Sequence, residues 1–282
     1  MAQFRFNIPN IRSVVSTIRW RNAPSTTAFG SRTEKKFGAN AVIDSWRFAS
    51  QTRDKNIDPN ALDLLTHYTN FLVLVDNKID GKGAKSINDA LKDPDVQQLQ
   101  KKYYNTTLKF EDNRREKLQQ HFADTLQRNI GAVKNRQAGL GGIHDVIEFR
   151  KQTTGEMGRA MAGILNIAHN IPQESSEKIE RAFENLGMII QIDDDLRDLS
   201  LDKKERTKEN LVYQILKSNP EELGKVGQTL KKSSEINFRR FKTIAPITAR
   251  AVTDLQRKYF DRFETEKSFA HLRGFANTFE LR

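Results

Sequence analysis

The sequence predicts a single all-α domain, and three observations carry that prediction. Apolar residues recur at helical spacing through most of the chain. No stretch sustains the apolar–polar alternation of a strand. Glycine and proline, 15 and 7 in 282 residues, are sparse and mostly punctuate long amphipathic stretches. The composition, 37% hydrophobic and 29% charged, is that of a folded chain, and the length allows a sizeable core.

Residues 1–33 stand apart. They carry Arg5, Arg12, Arg19, Arg21 and Arg32, and no acid precedes Glu34. Pro9 and Pro24 interrupt the stretch, and it has no apolar core of a secretory signal. It reads as a basic N-terminal arm on a helical domain over 34–282, which places the protein in the cytoplasm. The alternative, an organelle transit peptide, would place it in a mitochondrion or plastid.

The elements follow in order. Residues 58–80 open with Asp58-Pro59-Asn60, a helix entry, and continue with Leu62, Leu65, Tyr68, Leu72 and Val75 at helical spacing until Gly81 and Gly83. Residues 112–136 form a polar helix with Leu118, Phe122 and Leu126 as its stripe. Gly139, Gly141 and Gly142 make a turn. A helix over 144–169 is rich in small residues (Gly155, Gly158, Ala160, Ala162, Gly163), which permit close helix approach. After Pro172 a helix runs from about Ser175 to Ser200 with Ile179, Phe183, Leu186 and Ile190 on its apolar face. Pro220 and Pro246 divide the remaining helical segments.

The net charge of +11 attracts nucleic acid, anionic membranes and anionic small substrates alike; a solvated lysine-rich surface accounts for it equally well. There is no zinc-finger spacing, RNP-like strand or arginine block, so no nucleic-acid partner is expected. No run of about 18 apolar residues exists, so no stable membrane insertion is expected. Cysteine is absent, which excludes disulfides and thiolate metal sites and fits a reducing compartment.

The chemistry concentrates in GMIIQIDDDLRDLSLD, residues 187–202, where an apolar run leads into five aspartates within ten residues. Asp194, Asp198 and Asp202 are spaced i, i+4, i+8 and form a stripe that Gln191 and Gly187 continue. Like charges at this spacing oppose a helix by about 0.2–0.5 kcal/mol a pair, and a hard divalent cation would offset that. A calcium loop counted from Asp193 would need glycine at its sixth position and glutamate at its twelfth, where Asp198 and Lys204 stand. The plainer reading is an acidic helix end facing solvent, paired with Lys203, Lys204 and Arg206. A second carboxylate pair, Asp76 and Asp80, closes the 58–80 helix directly after NFLVLV. Two such pairs on facing helices could hold Mg²⁺ that clamps a diphosphate at the mouth of an apolar pocket.

The run Gln191-Ile192-Asp193-Asp194-Asp195-Leu196-Arg197-Asp198 resembles the FQI-x-DD-x-x-D motif of class I isoprenoid synthases. It also overlaps the terpene synthase pattern N/D-D-x-x-S/T-x-x-x-E, with Asp198 replacing Ser or Thr and Asp202 replacing Glu. Asp76-Asn77-x-x-Asp80 is similar to the first DD-x-x-D motif, with Asn77 in place of the second aspartate. Arg150-Lys151-Gln152-Thr153-Thr154-Gly155 resembles the Arg-x-x-Thr-x-Gly stretch of bacterial terpene synthases. The resemblance covers roughly residues 35–270.

The resemblance implies a helical bundle of the isoprenoid synthase type around a central apolar cavity. It implies about three Mg²⁺ ions, for which Mn²⁺ can substitute, on Asp76, Asp80, Asp194, Asp195, Asp198 and Asp202. Arg150 would sense the diphosphate, and a helix break at Thr154 and Gly155 would point carbonyl dipoles at it. Lys203 and Lys204 would reach the diphosphate, and the nearest matches to the family's C-terminal Arg-Tyr pair are Arg257 with Tyr259, or Arg262 followed by Phe263. Phe71, Leu72, Val75, Phe149, Met161, Ile190 and Gln191 are the candidate pocket wall, although apolar helix faces more often simply pack on each other. The implied activity is that of a terpene synthase, a carbon–oxygen lyase that ionises an allylic prenyl diphosphate and rearranges the carbocation to a hydrocarbon or alcohol. The alternatives are a condensing prenyltransferase of the squalene or phytoene synthase kind and a non-catalytic scaffold with the same fold. Chain elongation is disfavoured, because residues 1–60 lack a Gly-Gly-Lys-x-Arg site. Many relatives of this kind pair as dimers, which makes a homodimer one candidate state and leaves the oligomeric state open.

Overall fold

The computed structural model describes residues 43–47, 49–50, 57–80, 86–200, 208–232, 236–263 and 269–281, and the N-terminal arm lies outside them. Among the described residues every regular element is a helix. After a helical segment at 43–47 come α1 (Pro59–Asp80), α2 (Ile87–Leu91), α3 (Pro94–Thr107), α4 (Asp112–Ala138) and α5 (Ile143–Arg150). A π-helical turn (Lys151–Gly155) joins α5 to α6 (Glu156–Ala168), and α7 (Gln173–Arg197) follows. Then come α8 (Leu211–Lys217), α9 (Pro220–Lys232), α10 (Phe238–Ile244), α11 (Pro246–Phe260) and α12 (Ala270–Ala276). No helix among the described residues is long and apolar enough to cross a membrane.

The boundaries have local causes. Asp58 accepts a hydrogen bond from the Asn60 amide at 2.8 Å, which begins α1. Asp93 caps α3 ahead of Pro94, and Asn210 and Asn237 cap α8 and α10 through the third following amide. Pro246 opens α11, whose first amides are held by Glu222: Ile247 N and Thr248 N donate to its carboxylate at 2.8 and 2.9 Å. After α6, Asn170 takes φ 52 and turns the chain.

One expectation is corrected. The segment 144–169 is not one regular helix: the π-helical turn over KQTTG divides it. The cause is legible in the residues. Two consecutive threonines and a glycine are weak helix formers, and the Thr153 hydroxyl donates back to the Phe149 carbonyl at 2.9 Å, a bond that bends helices. The 175–200 helix starts two residues earlier than expected and passes at Asp198 into a 3₁₀ turn.

The core is aromatic at one end. Phe122 of α4 packs on Phe71 of α1 at 5.2 Å between ring centroids and on Tyr103 of α3 at 4.5 Å. Around it, α6 lies against α7 with almost no separation. A Cβ built on Gly158 would collide with the Phe183 carbonyl, and one on Gly187 would come within 2.5 Å of the Thr154 carbonyl oxygen. Gly158→Ala is therefore expected to destabilise by about 1–3 kcal/mol through overpacking. Helix propensity alone has the opposite sign and would stabilise by about 1 kcal/mol. Gly224→Ala, where a Cβ meets nothing within 4 Å, is the control. Denaturant midpoints of the two variants moving in the same direction would contradict the packing account.

Candidate functional site

Consecutive residues on a helix point about 100° apart, so three aspartates in a row cannot share one partner. In α7 they separate. Asp193 turns to Arg197, one helical turn on, whose Nε lies at 2.9 Å. Asp195 turns inward to Arg150 at the end of α5, with Nη2 3.0 Å from its Oδ1. Asp194 is buried between these directions, 8% exposed, and Asp198 follows at i+4 where α7 gives way to the 3₁₀ turn.

Asp195 is the centre of a buried network. Its Oδ1 accepts from Arg150 and from Gln191 Nε2 at 2.6 Å, and its Oδ2 accepts from the Leu211 amide at 2.7 Å. Its own carbonyl accepts from Asn210 Nδ2 at 2.6 Å. Gln191 in turn accepts a hydrogen bond from the Thr154 hydroxyl at 2.6 Å, in the π-helical turn. Arg150 Nε donates to the Glu209 carbonyl at 3.0 Å. Arg150 and Asp195 are only 2% and 1% exposed, so the pair sits out of water and every group in it needs its partner. The arrangement ties α5, the π-helical turn, the end of α7 and the start of α8 into one unit.

The structure thus brings together Arg150, Thr154, Gln191 and Asp195, all singled out by the sequence, and adds a segment that the sequence reading missed, Glu209-Asn210-Leu211. One signal pointed to that segment: Asn210 directly precedes the apolar Leu211-Val212 and is its N-cap. At Thr154 the break does not aim a carbonyl outward: this oxygen faces Gly187 of α7.

The other candidate residues fall elsewhere. Asp76 and Asp80 occupy the last turn of α1, but their side chains, like residues Asp202, Lys203 and Lys204, lie outside the described residues. Arg257 faces solvent with its side chain 66% exposed, 3.9 Å from Asp254. Tyr259 is buried and meets Arg262 instead, whose guanidinium lies 5.6 Å from its ring while Nη1 reaches Asn185 Oδ1 at 3.2 Å. Residues two apart on a helix do not share a face, which separates Arg257 from Tyr259. The Arg262–Asn185 contact stands ten residues before Asp195, about 15 Å along α7.

Of the expected pocket wall, Phe71, Val75 and Phe149 are buried, and Leu72, Met161 and Ile190 pack half-buried against the core. Gln191 belongs to the Asp195 network. None of them lines the cleft of about 380 Å³ that opens between α4, the π-helical turn and α7. That cleft is ionic: Arg128, Lys151, Glu156 and Glu184 face it, with Arg128 Nε bound to Glu156 at 2.8 Å.

A nearby histidine carries a pH prediction. His121 of α4 sits against the Ala160 carbonyl at 3.1 Å, and burial lowers its pKa below the ordinary value, an effect that the carbonyl and the charges of Glu180 and Glu156 oppose. Below about pH 6.5 the unfolded chain therefore takes up a proton that the native imidazole resists, and stability falls as the pH falls. His121→Gln is expected to flatten the pH dependence of the urea midpoint just below pH 6.5. An unchanged slope would contradict this.

Could the acidic run hold a metal? Among the described residues, no group of three or more His, Cys, Asp or Glu side chains could hold one. Asp194 and Asp198 fit Mg²⁺ in kind: they are hard oxygen ligands one turn apart, and Mg²⁺ commonly takes one or two carboxylates plus water and substrate phosphate. They also stand at a helix C-terminus, the negative end of its dipole, where a cation is favoured.

No family model matches the chain, and no curated protein or solved structure matches it.

Proposed function

We propose that the protein is a class I terpene synthase that ionises an allylic prenyl diphosphate and releases diphosphate. One observation supports this most: the buried Thr154–Gln191–Asp195–Arg150 network, which joins the break after Arg150 to the acidic run of α7. Those are the segments whose residues resemble the family's motifs, and they come together across 45 residues of chain between Arg150 and Asp195. A solvated acidic helix end has no use for such a network.

In this reading Asp194 and Asp198 would hold Mg²⁺, with Asp76 and Asp80 of α1 as the second carboxylate pair. Bound Mg²⁺ supplies positive charge to the diphosphate as negative charge develops on its leaving oxygen. Arg150 and Asp195 act as positioning residues. Their mutual bond fixes the rotation of the α7 end, and with it the direction of Asp194 one residue away. Thr154 and Gln191 hold the π-helical turn to the same face. The apolar residues leading into each acidic pair would exclude water from the carbocation.

The reading is tested by metal dependence. Turnover of an allylic prenyl diphosphate is expected to stop in excess chelator and to return with added Mg²⁺ or Mn²⁺. Turnover that persists in chelator would remove the mechanism.

A further inference from the structure

We infer that the corner between α10 and α11 is a docking surface for an anionic lipid membrane, independently of the catalytic reading. Residues 237–253 contain no acid and four basic residues, Arg239, Arg240, Lys242 and Arg250. All four are exposed, and none has an ion-pair partner among the described residues. By contrast, Lys178 and Arg181 of α7 and Lys225 of α9 each hold a glutamate four residues away.

The same corner carries an apolar tip. Ile247 is 63% exposed, one of two large hydrophobic residues so placed among the described residues, and Pro246 beside it is exposed too. Ile247 cannot simply fold inward. Its amide is fixed on Glu222, and Thr248 and Ala249, the next two residues, take the buried side of the helix. The nearest carboxylate, Glu222, is buried and engaged by the Ile247 and Thr248 amides and by the Thr248 hydroxyl, so it does not face outward.

An exposed apolar residue with exposed cations before and after it in the chain, Lys242 among them over the Phe238 ring at 5.4 Å, fits a surface that is negative at its headgroups and apolar just beneath. A nucleic acid would use the cations and leave Ile247 in water. The short α10 and the start of α11 meet at Ala245, so the cations flank the tip on both sides in sequence. The association proposed is peripheral: no helix among the described residues is long and apolar enough to span a bilayer, and one isoleucine and one proline give only shallow insertion.

The experiment is co-sedimentation of the full chain with phosphatidylcholine vesicles, with and without phosphatidylglycerol. Binding is expected only with phosphatidylglycerol and is expected to weaken with salt. Each basic residue contributes roughly fivefold to partitioning at an anionic surface, so the triple variant Arg239→Glu, Arg240→Glu, Lys242→Glu is expected to lose binding by at least about tenfold. Ile247→Ser is expected to weaken it several-fold without changing its salt dependence. Charge reversal at the exposed Lys101 and Lys102 of α3 is the control and is expected to have a smaller effect. The inference is overturned by equal losses in control and triple variant, by equal binding to neutral vesicles, or by binding to an RNA or DNA oligonucleotide with none to vesicles. Circular dichroism and the thermal midpoint identify any variant that fails to fold, and Ile247→Ser, at an exposed site, then carries the test.

Discussion

Arg150→Ala is expected to cost about 3–5 kcal/mol of stability, because it leaves the Asp195 carboxylate buried without its cationic partner. The loss has more than one part. The Glu209 carbonyl would lose its donor, and the 208–210 segment would lose a tie to α5. Gln191 and the Leu211 amide would remain on Asp195, so the carboxylate would not be orphaned outright. Asp195→Asn removes the charge. Its single oxygen can serve either the Leu211 amide or the Arg150 and Gln191 donors, and the buried guanidinium loses its counter-charge, so it is expected to cost a comparable amount. Urea unfolding of the variants measures both. A change under about 1 kcal/mol for Arg150→Ala would mean that the pair is not the buried anchor described here.

Asp194→Ala is expected to act on chemistry instead. Its neighbour Asp195 supports the fold, and Asp194 is assigned to the metal. Loss of that ligand should lower turnover by at least about 100–1000-fold, the range typical of removing one group that stabilises developing charge. The circular dichroism spectrum should remain helical, and urea unfolding measures separately what the buried Asp194 contributes to the fold. The contrast between adjacent residues gives the test its force: Asp195 variants should lose stability and Asp194 variants should lose activity. Normal turnover in Asp194→Ala would sink the metal assignment.

Much of the fold was legible because its signals are local. The Asp58-Pro59-Asn60 entry, the apolar stripe of α1, and Pro172, Pro220 and Pro246 mark element ends within a few residues of where they lie. The helices over 87–107 have no counterpart in the sequence reading. α2 is only five residues long, and α3 is mostly polar, with Gln, Lys and Thr the commonest polar residues, which obscures its buried Val96 and Tyr103. The resemblance implied a break at Thr154 and Gly155, but its form as a π-helical turn was hidden for a different reason. Gly155 weakens a helix without saying whether the chain stops, kinks or widens, and the outcome depends on the carbonyl of Thr154 meeting Gly187.

The candidate site was legible as residues and not as contacts. Spacing put Gln191 on a stripe with Asp194 and Asp198, whereas in the structure Gln191 bonds Asp195, Asp195 meets Arg150 and Asp193 meets Arg197. The Glu209 carbonyl leaves no side-chain signature at all. Arg257 drew attention by its nearness to Tyr259, whereas Arg262, one turn after Tyr259, is the arginine that reaches it.

The most direct test of the central claim is a product assay. Purified protein with Mg²⁺ would be incubated separately with geranyl, farnesyl, geranylgeranyl and geranylfarnesyl diphosphate, and the organic extract read by gas chromatography–mass spectrometry. The account predicts a hydrocarbon or alcohol with the carbon number of one substrate, lost in Asp194→Ala. A product with summed carbon number would move the assignment to a condensing prenyltransferase. No product and no diphosphate release from any of the four would contradict the proposed activity.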